Sequence, residues 1–177
     1  MDNNNLNNKK TGIFIGKFLP PHIGHINQIK KCLDYCDELI VIIADSKQRS
    51  KTICKNANIK PVYAKTRLKW LKNHFKYNKN KIKFKYLNQG MLESFPDNLN
   101  LWKNKLKRLT NNNFDFWFVD NNYLDISKKY FPEYNFIGFD RSEINISASE
   151  IRNNLENKNN YIIKEAQKYF LKNKYKK

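Results

Sequence analysis

Residues 39–44, LIVIIA, are the longest unbroken apolar run in the chain. A membrane-crossing helix needs about 20 such residues, so this run is far too short to span a bilayer. It has instead the length of a strand buried on both faces. Short apolar blocks recur around it: residues 13–15, IKFKYL at 82–87, FDFWFV at 114–119 and NFIGF at 135–139. Between the first two blocks, Ile23, Ile26, Ile29 and Leu33 repeat at helical spacing. Leu68, Leu71 and Phe75 do the same within residues 61–77. Further helices are expected over 99–109 and 126–131, from Ser147, and over 161–171. Strands that alternate with helices through short connections predict an α/β, Rossmann-like single domain. Its parallel sheet has about five strands and helices on both faces. Such sheets hold ligands beyond the carboxyl ends of their strands, which singles out the loops after Ile15, Ala44, Val119 and Phe139.

A length of 177 residues suits one domain. Residues 1–10, MDNNNLNNKK, are polar and low in complexity, and are expected to be a disordered lead-in to a domain over 11–177 that ends in a C-terminal helix. No signal-peptide core or membrane span is present in the sequence, and a cytoplasmic protein without a membrane partner is expected. Cys32, Cys36 and Cys54 are odd in number and lack CxxC spacing, so free thiols in a reducing compartment are expected rather than a zinc site. The formal charge of +18, from 34 Lys+Arg against 16 Asp+Glu, raises nucleic acid as a partner. The lysines are spread from end to end among many asparagines, however. That pattern fits a solvated surface and a local anion site better than a nucleic-acid interface, and no nucleic-acid partner is expected. The runs at 79–85 and 172–177 are expected to be solvated, and His74 to be a surface residue. Self-association is left open.

Chemistry concentrates at two places. Gly16-Lys17-Phe18-Leu19-Pro20-Pro21-His22 joins the first strand to the first helix. Gly16 is expected to let a substrate approach the backbone closely, and Pro21 to lie near the first helical turn. His22 and His25, three residues apart, share one face beside the free N–H groups and positive end of a helix. Gly24 between them leaves room for a phosphate. With Lys17, these groups make an anion site able to hold a phosphate whose charge is changing. Two of the chain's 3 histidines fall in this one spacing. The second place is INISASEIR, residues 144–152. Ser147 and Glu150 have capping-box spacing, so a helix starts there. Ser149 and Arg152 add a hydroxyl and a cation at its first turn.

GKFLPPHIGH together with ISASEIR resembles the nucleotidyltransferase superfamily, whose marks are (H/T)xGH after the first strand and ISxTxxR near the end. Within it the likeness is to the nicotinamide mononucleotide (NMN) adenylyltransferase domain of the NadR type. It runs over about residues 12–154 and includes RLKWL with the following FKY, SFPDNLNLW, and FDRSEINISASEIR. Ser149 replaces the usual threonine but keeps the hydroxyl.

The resemblance implies that the 5′-phosphate of NMN attacks the α-phosphorus of ATP, giving NAD and pyrophosphate. His22 and His25 would then hold the ATP phosphates, with His25 nearest the α-phosphoryl group, while Lys17 and Arg152 neutralise charge. Gly16, Phe18, Gly24, Asp140, Ser147 and Ser149 complete the implied ATP site. Trp102 is the residue expected to stack on nicotinamide, with Phe18, Asp45 and Arg67 as further NMN contacts. Mg²⁺ is expected mainly on phosphate oxygens and water, with no protein metal cage.

NadR-type proteins also carry a ribosylnicotinamide kinase. With no GxxxxGK[ST] loop in this sequence, the adenylyltransferase alone is expected. ISASEIR stands where a class I aminoacyl-tRNA synthetase would need a KMSKS-like lysine loop, which counts against that enzyme. Other members of the superfamily remain alternatives: pantetheine-phosphate adenylyltransferase, FAD synthetase or a cytidylyltransferase. Those usually show G-x-F-D where this chain has GKFLP. A basic nucleic-acid-binding module is the alternative of another class.

Overall fold

The computed structural model describes residues 9–90, 99–140, 144 and 146–173. Residues 1–8 of the expected lead-in, 94–98 of SFPDNLNLW, 141–143 and 145 of FDRSEIN, and 174–177 of the basic C-terminus lie outside the described residues. The five strands are β1 (Thr11–Gly16), β2 (Glu38–Asp45), β3 (Ile82–Asn88), β4 (Phe116–Asp120) and β5 (Phe136–Phe139). They form one parallel sheet in the order β3-β2-β1-β4-β5. The chain adds strands outward on one side of β1 and then restarts on the other, so the strand order switches between β1 and β4. In open α/β sheets a ligand crevice lies at that switch, beyond the carboxyl ends.

The alternation of side chains along each strand separates two cores. Phe14, Leu39, Val41, Ile43 and Phe118 point to one face, while Ile13, Ile40, Ile42, Ala44 and Trp117 point to the other. The first face is covered by α1 (Ile23–Cys32), α3 (Ala64–His74) and α8 (Lys164–Lys172) through Ile26, Ile29, Leu71, Ala166 and Phe170. α4 (Leu99–Thr110) covers the second through Leu106, and Phe131, just past α5 (Leu124–Tyr130), joins it. A central strand with helices on both sides has no solvent face, which explains the unbroken run in β2.

Most expected elements are present, with shifted ends. Ile23 is 36% exposed, so the apolar stripe of α1 begins at Ile26. α8 starts at Lys164, after an extended pair, Ile162 and Ile163. One helix, α2 (Lys47–Asn56), has no counterpart in the apolar periodicity of the sequence. Its sequence KQRSKTICKN has Ile53 and Cys54 as its only apolar residues, too few to form a stripe. What starts it is Ser46, whose hydroxyl accepts the Arg49 N–H at 3.1 Å. α6 (Ala148–Asn153) and the single turn α7 (Leu155–Lys158) follow β5.

The three cysteines are free and buried. Desolvation pushes the thiols of Cys36, to about 11, and Cys32 above their ordinary value. Among the described residues no helix is long and apolar enough to cross a membrane. His74 is not a plain surface residue: its Nδ1 lies 3.1 Å from Glu165 Oε2 and ties α3 to α8. Lys85, in the run expected to be solvated, donates to the Leu109 carbonyl at 2.6 Å.

Candidate active site

A cavity of about 920 Å³ opens beyond the carboxyl ends of β1 and β4, where the strand order switches. The β1–α1 corner forms one wall with Gly16, Lys17, Phe18, His22, Gly24 and His25. Ser147, Ala148, Ser149 and Arg152 of the α6 start form the facing wall. Trp102 of α4 lines it too, as does Asp140 just past β5.

His22 is the N-cap of α1 and is 4% exposed. Its backbone N–H points to His25 Nδ1 at 3.4 Å, and the two rings lie 3.7 Å apart between centroids. The imidazoles thus form one cluster at the positive end of a helix. Lys17 lies within reach of Arg49, Arg152 and Arg67. Desolvation, reinforced by the Arg49 charge, holds its ammonium below the ordinary lysine value. A cation made costly in this way gains from any anion placed beside it.

The start of α6 is capped as its sequence predicts. Ser147 Oγ accepts the Glu150 N–H at 3.1 Å, and Glu150 Oε2 accepts the Ser147 N–H at 2.8 Å. Arg152 then bridges the two walls. Its guanidinium donates to Ser149 Oγ at 2.8 Å and also to the carbonyl of Leu19 in the first corner. Hydroxyls, a guanidinium, an ammonium and two imidazoles therefore face one another across a single space, an arrangement suited to a polyphosphate.

Several expected roles change. Gly16 lines the cavity, and a Cβ there would sit 3.0 Å from the ring of Phe18, so the missing side chain also makes room for that ring. Phe18 adopts φ 52° and folds its ring inward, against Phe14 at 5.9 Å and His25 at 4.7 Å. With 1% exposure its ring is packed into the corner that walls the cavity. At Gly24 a Cβ would press on the His22 ring at 3.1 Å, so the missing side chain makes room for His22 before it makes room for a phosphate. Pro21 stands immediately before the N-cap, near the first turn as expected.

Asp45 and Arg67, expected to contact NMN, do not line the cavity. Their side chains are 1% and 0% exposed and form an ion pair beneath it. Ser50 Oγ joins them, at 2.5 Å from Asp45 Oδ2 and 3.0 Å from Arg67. Arg67 also donates to the Lys17 carbonyl. The pair ties together the corners after β1 and β2. Trp102 keeps its place in the wall, but it is half-buried and one face stacks on Trp117 at 5.7 Å and 8°.

Arg49, Lys31, Asn27, Gln28, Asp120 and Trp117, which neither motif singles out, also line the cavity. Arg49 had a signal: it lies three residues past Ser46, in the loop region after Ala44. Among the described residues no cluster of three or more His, Cys, Asp or Glu could hold a metal ion.

Known proteins resemble this chain in sequence and fold. The trifunctional NAD biosynthesis/regulator protein NadR of Escherichia coli is 33% identical over 102 residues, 56% of this chain and 25% of that protein. The nicotinamide-nucleotide adenylyltransferase of Saccharolobus solfataricus is 37% identical over 65 residues, 37% of this chain and 34% of that enzyme. A crystal structure of NadR protein in complex with NR superposes with a TM-score of 0.70 at 28% identity, over 89% of this chain and 44% of that one. The chain thus spans less than half the length of each of these relatives. The family model described as cytidylyltransferase-like matches residues 13–169, from the first strand through both walls of the cavity to the last helix. With nearly the whole fold and both walls of the cavity inside that match, the chain belongs to the cytidylyltransferase-like family.

Proposed function

We propose that the protein is a nicotinamide mononucleotide adenylyltransferase. It joins the AMP of ATP to the 5′-phosphate of NMN, forming NAD and releasing pyrophosphate. The observation that carries this reading is Arg152, which spans from Ser149 to the Leu19 carbonyl and so sets the ISASEIR start against the HIGH corner over one cavity. The acceptor is supported by the relatives whose names concern NAD biosynthesis and nicotinamide-nucleotide adenylyl transfer.

In this reaction an oxygen of the NMN phosphate forms a bond to the α-phosphorus of ATP, and the bond to the bridging oxygen of pyrophosphate breaks. The nucleophile is already an anion, so no serine or cysteine nucleophile is required. Catalysis is alignment and charge stabilisation. His22 and His25 donate to the phosphates, His25 nearest the α-phosphoryl group. Lys17 and Arg152 balance the charge that accumulates on the leaving pyrophosphate, and Ser147 and Ser149 donate at the α6 start. Trp102 packs against the nicotinamide. Asp120 and Asp140 supply the carboxylates among the described residues that line the cavity, a donor set that suits Mg²⁺ carried on phosphate oxygens. Bound in that way, Mg²⁺ supplies further charge neutralisation. The reducing cytoplasm is the setting that suits three free buried thiols.

The test is to incubate the protein with ATP and, in turn, NMN, its deamidated acid, phosphopantetheine and FMN, and to follow pyrophosphate release. NMN should yield NAD. Pyrophosphate release with phosphopantetheine or FMN but not with NMN would overturn the assignment in favour of another member of the family.

A further inference from the structure

The end of the chain returns to the first corner. Ile162 forms an isolated antiparallel bridge with His22, and the Ile163 N–H donates to the Pro21 carbonyl at 3.2 Å. Both isoleucines are buried, at 1% and 3% exposure. They are extended, with φ −74° and ψ 140° at Ile162 and φ −60° and ψ 145° at Ile163, and α8 begins only at the next residue. α8 is itself fixed to α3 and to the chain just before it. The Tyr169 hydroxyl donates to the Pro61 carbonyl at 3.0 Å, Trp70 meets Tyr169 edge-on at 5.5 Å, and His74 pairs with Glu165.

We propose that residues 162–163 are a backbone strap that positions His22. His22 is an N-cap residue, extended at φ −140° and ψ 168°, and so only half inside its helix. The α1 hydrogen-bond ladder does not fix its two torsions as it fixes those of the residues that follow. Those torsions decide where the imidazole lies relative to His25, 3.7 Å away, and to a phosphate in the cavity. The strap grips the backbone at this residue and its neighbour Pro21, from a segment anchored on α3. Ile162 and Ile163 touch no reacting atom: they are positioning residues that act through His22. The proposal rests on the reading of His22 as a phosphate donor in adenylyl transfer.

The torsions supply a selective test. φ −60° is proline's own value, and Ile162 already occupies the region required before a proline. Because Ile163 precedes α8, its N–H serves no helical bond. Ile163→Pro therefore removes the strap's donor without opposing the backbone, whereas Ile163→Ala keeps the donor and loses more side chain. A merely structural role predicts that both variants lose stability and keep turnover. The strap predicts that kcat for NAD formation falls at least about 10-fold in the proline variant, since misplacing a catalytic group by about 1 Å can cost 10². KM for ATP and NMN should change little, and kcat of the alanine variant should stay close to the parent's. Equal kcat in the two variants overturns the proposal. A second variant covers misfolding of the proline chain: the α-hydroxy analogue of isoleucine at 163 replaces the N–H by oxygen and keeps the side chain. It should show the same loss of kcat, and parental turnover would overturn the strap. The imidazole NMR signals of His22 give a reading that does not depend on the acceptor. They should move in the proline and ester variants and stay in the alanine variant. If the parent forms no NAD but these signals behave in this way, the acceptor assignment fails and the strap stands. Unmoved signals sink the strap alone.

Discussion

Replacing Arg67 by methionine should unfold the protein at a lower temperature without acting on substrate directly. Arg67 and Asp45 pair at 0% and 1% side-chain exposure, so solvent cannot compensate the carboxylate once its partner is gone. Removing one partner of a buried pair costs about 3–5 kcal/mol. The Lys17 carbonyl also loses a donor, a further cost of about 1 kcal/mol. Against a total stability of about 5–15 kcal/mol, this is a large fraction. A chain of this size loses about 2–4 °C of Tm per kcal/mol, so the midpoint should fall by roughly 8–24 °C. Pairing the change with Asp45→Leu removes the stranded charge and should restore most of the loss, since an apolar pair often replaces a buried ion pair at little cost. The assay is thermal and denaturant unfolding of both variants, together with KM for NMN measured where each remains folded. A loss below about 1 kcal/mol would refute the buried-pair argument. An unchanged midpoint with a sharply raised KM for NMN would instead return Arg67 to the substrate site.

His25→Ala should lower kcat by about 10²–10³, the cost of losing one transition-state donor, while the unfolding midpoint stays near the parent's. Near-normal turnover in a steady-state NAD assay would remove His25 from the mechanism. Lys17 predicts a pH effect. Its folded pKa lies below the unfolded value, so between the two the unfolded chain holds more protons and stability rises with pH. Through the same window the cavity loses a cation, so kcat/KM for ATP should fall at a pH below the ordinary lysine value. Lys17→Arg, which keeps its charge, should move that alkaline limb upward. A limb unmoved by the substitution would show that another group titrates.

Much of the fold was legible because burial on both faces leaves a mark in composition. LIVIIA could belong only to a central element, and the alternation around it implied the crossover helices. α2 was not legible, because a helix held by one cap and two apolar residues leaves no stripe to read. At the site, the HIGH and ISASEIR corners were legible because a helix start needs particular residues at fixed spacing. Arg152's span across the cavity and the bridge of Ile162 to His22 join residues more than a hundred positions apart, and local patterns carry no record of such distances.

The sequence by itself determined the sheet, the two helix starts that wall the cavity and the residue types that line them, since each follows from local periodicity and capping. Only the tertiary structure decided which charged side chains line the cavity. Asp45 and Arg67 stand beside the site in sequence and suit it by chemistry. Yet the direction in which Asp45 leaves β2 sends its carboxylate down to Ser50 and Arg67, and burial turned two expected ligand contacts into the cross-link beneath the cavity.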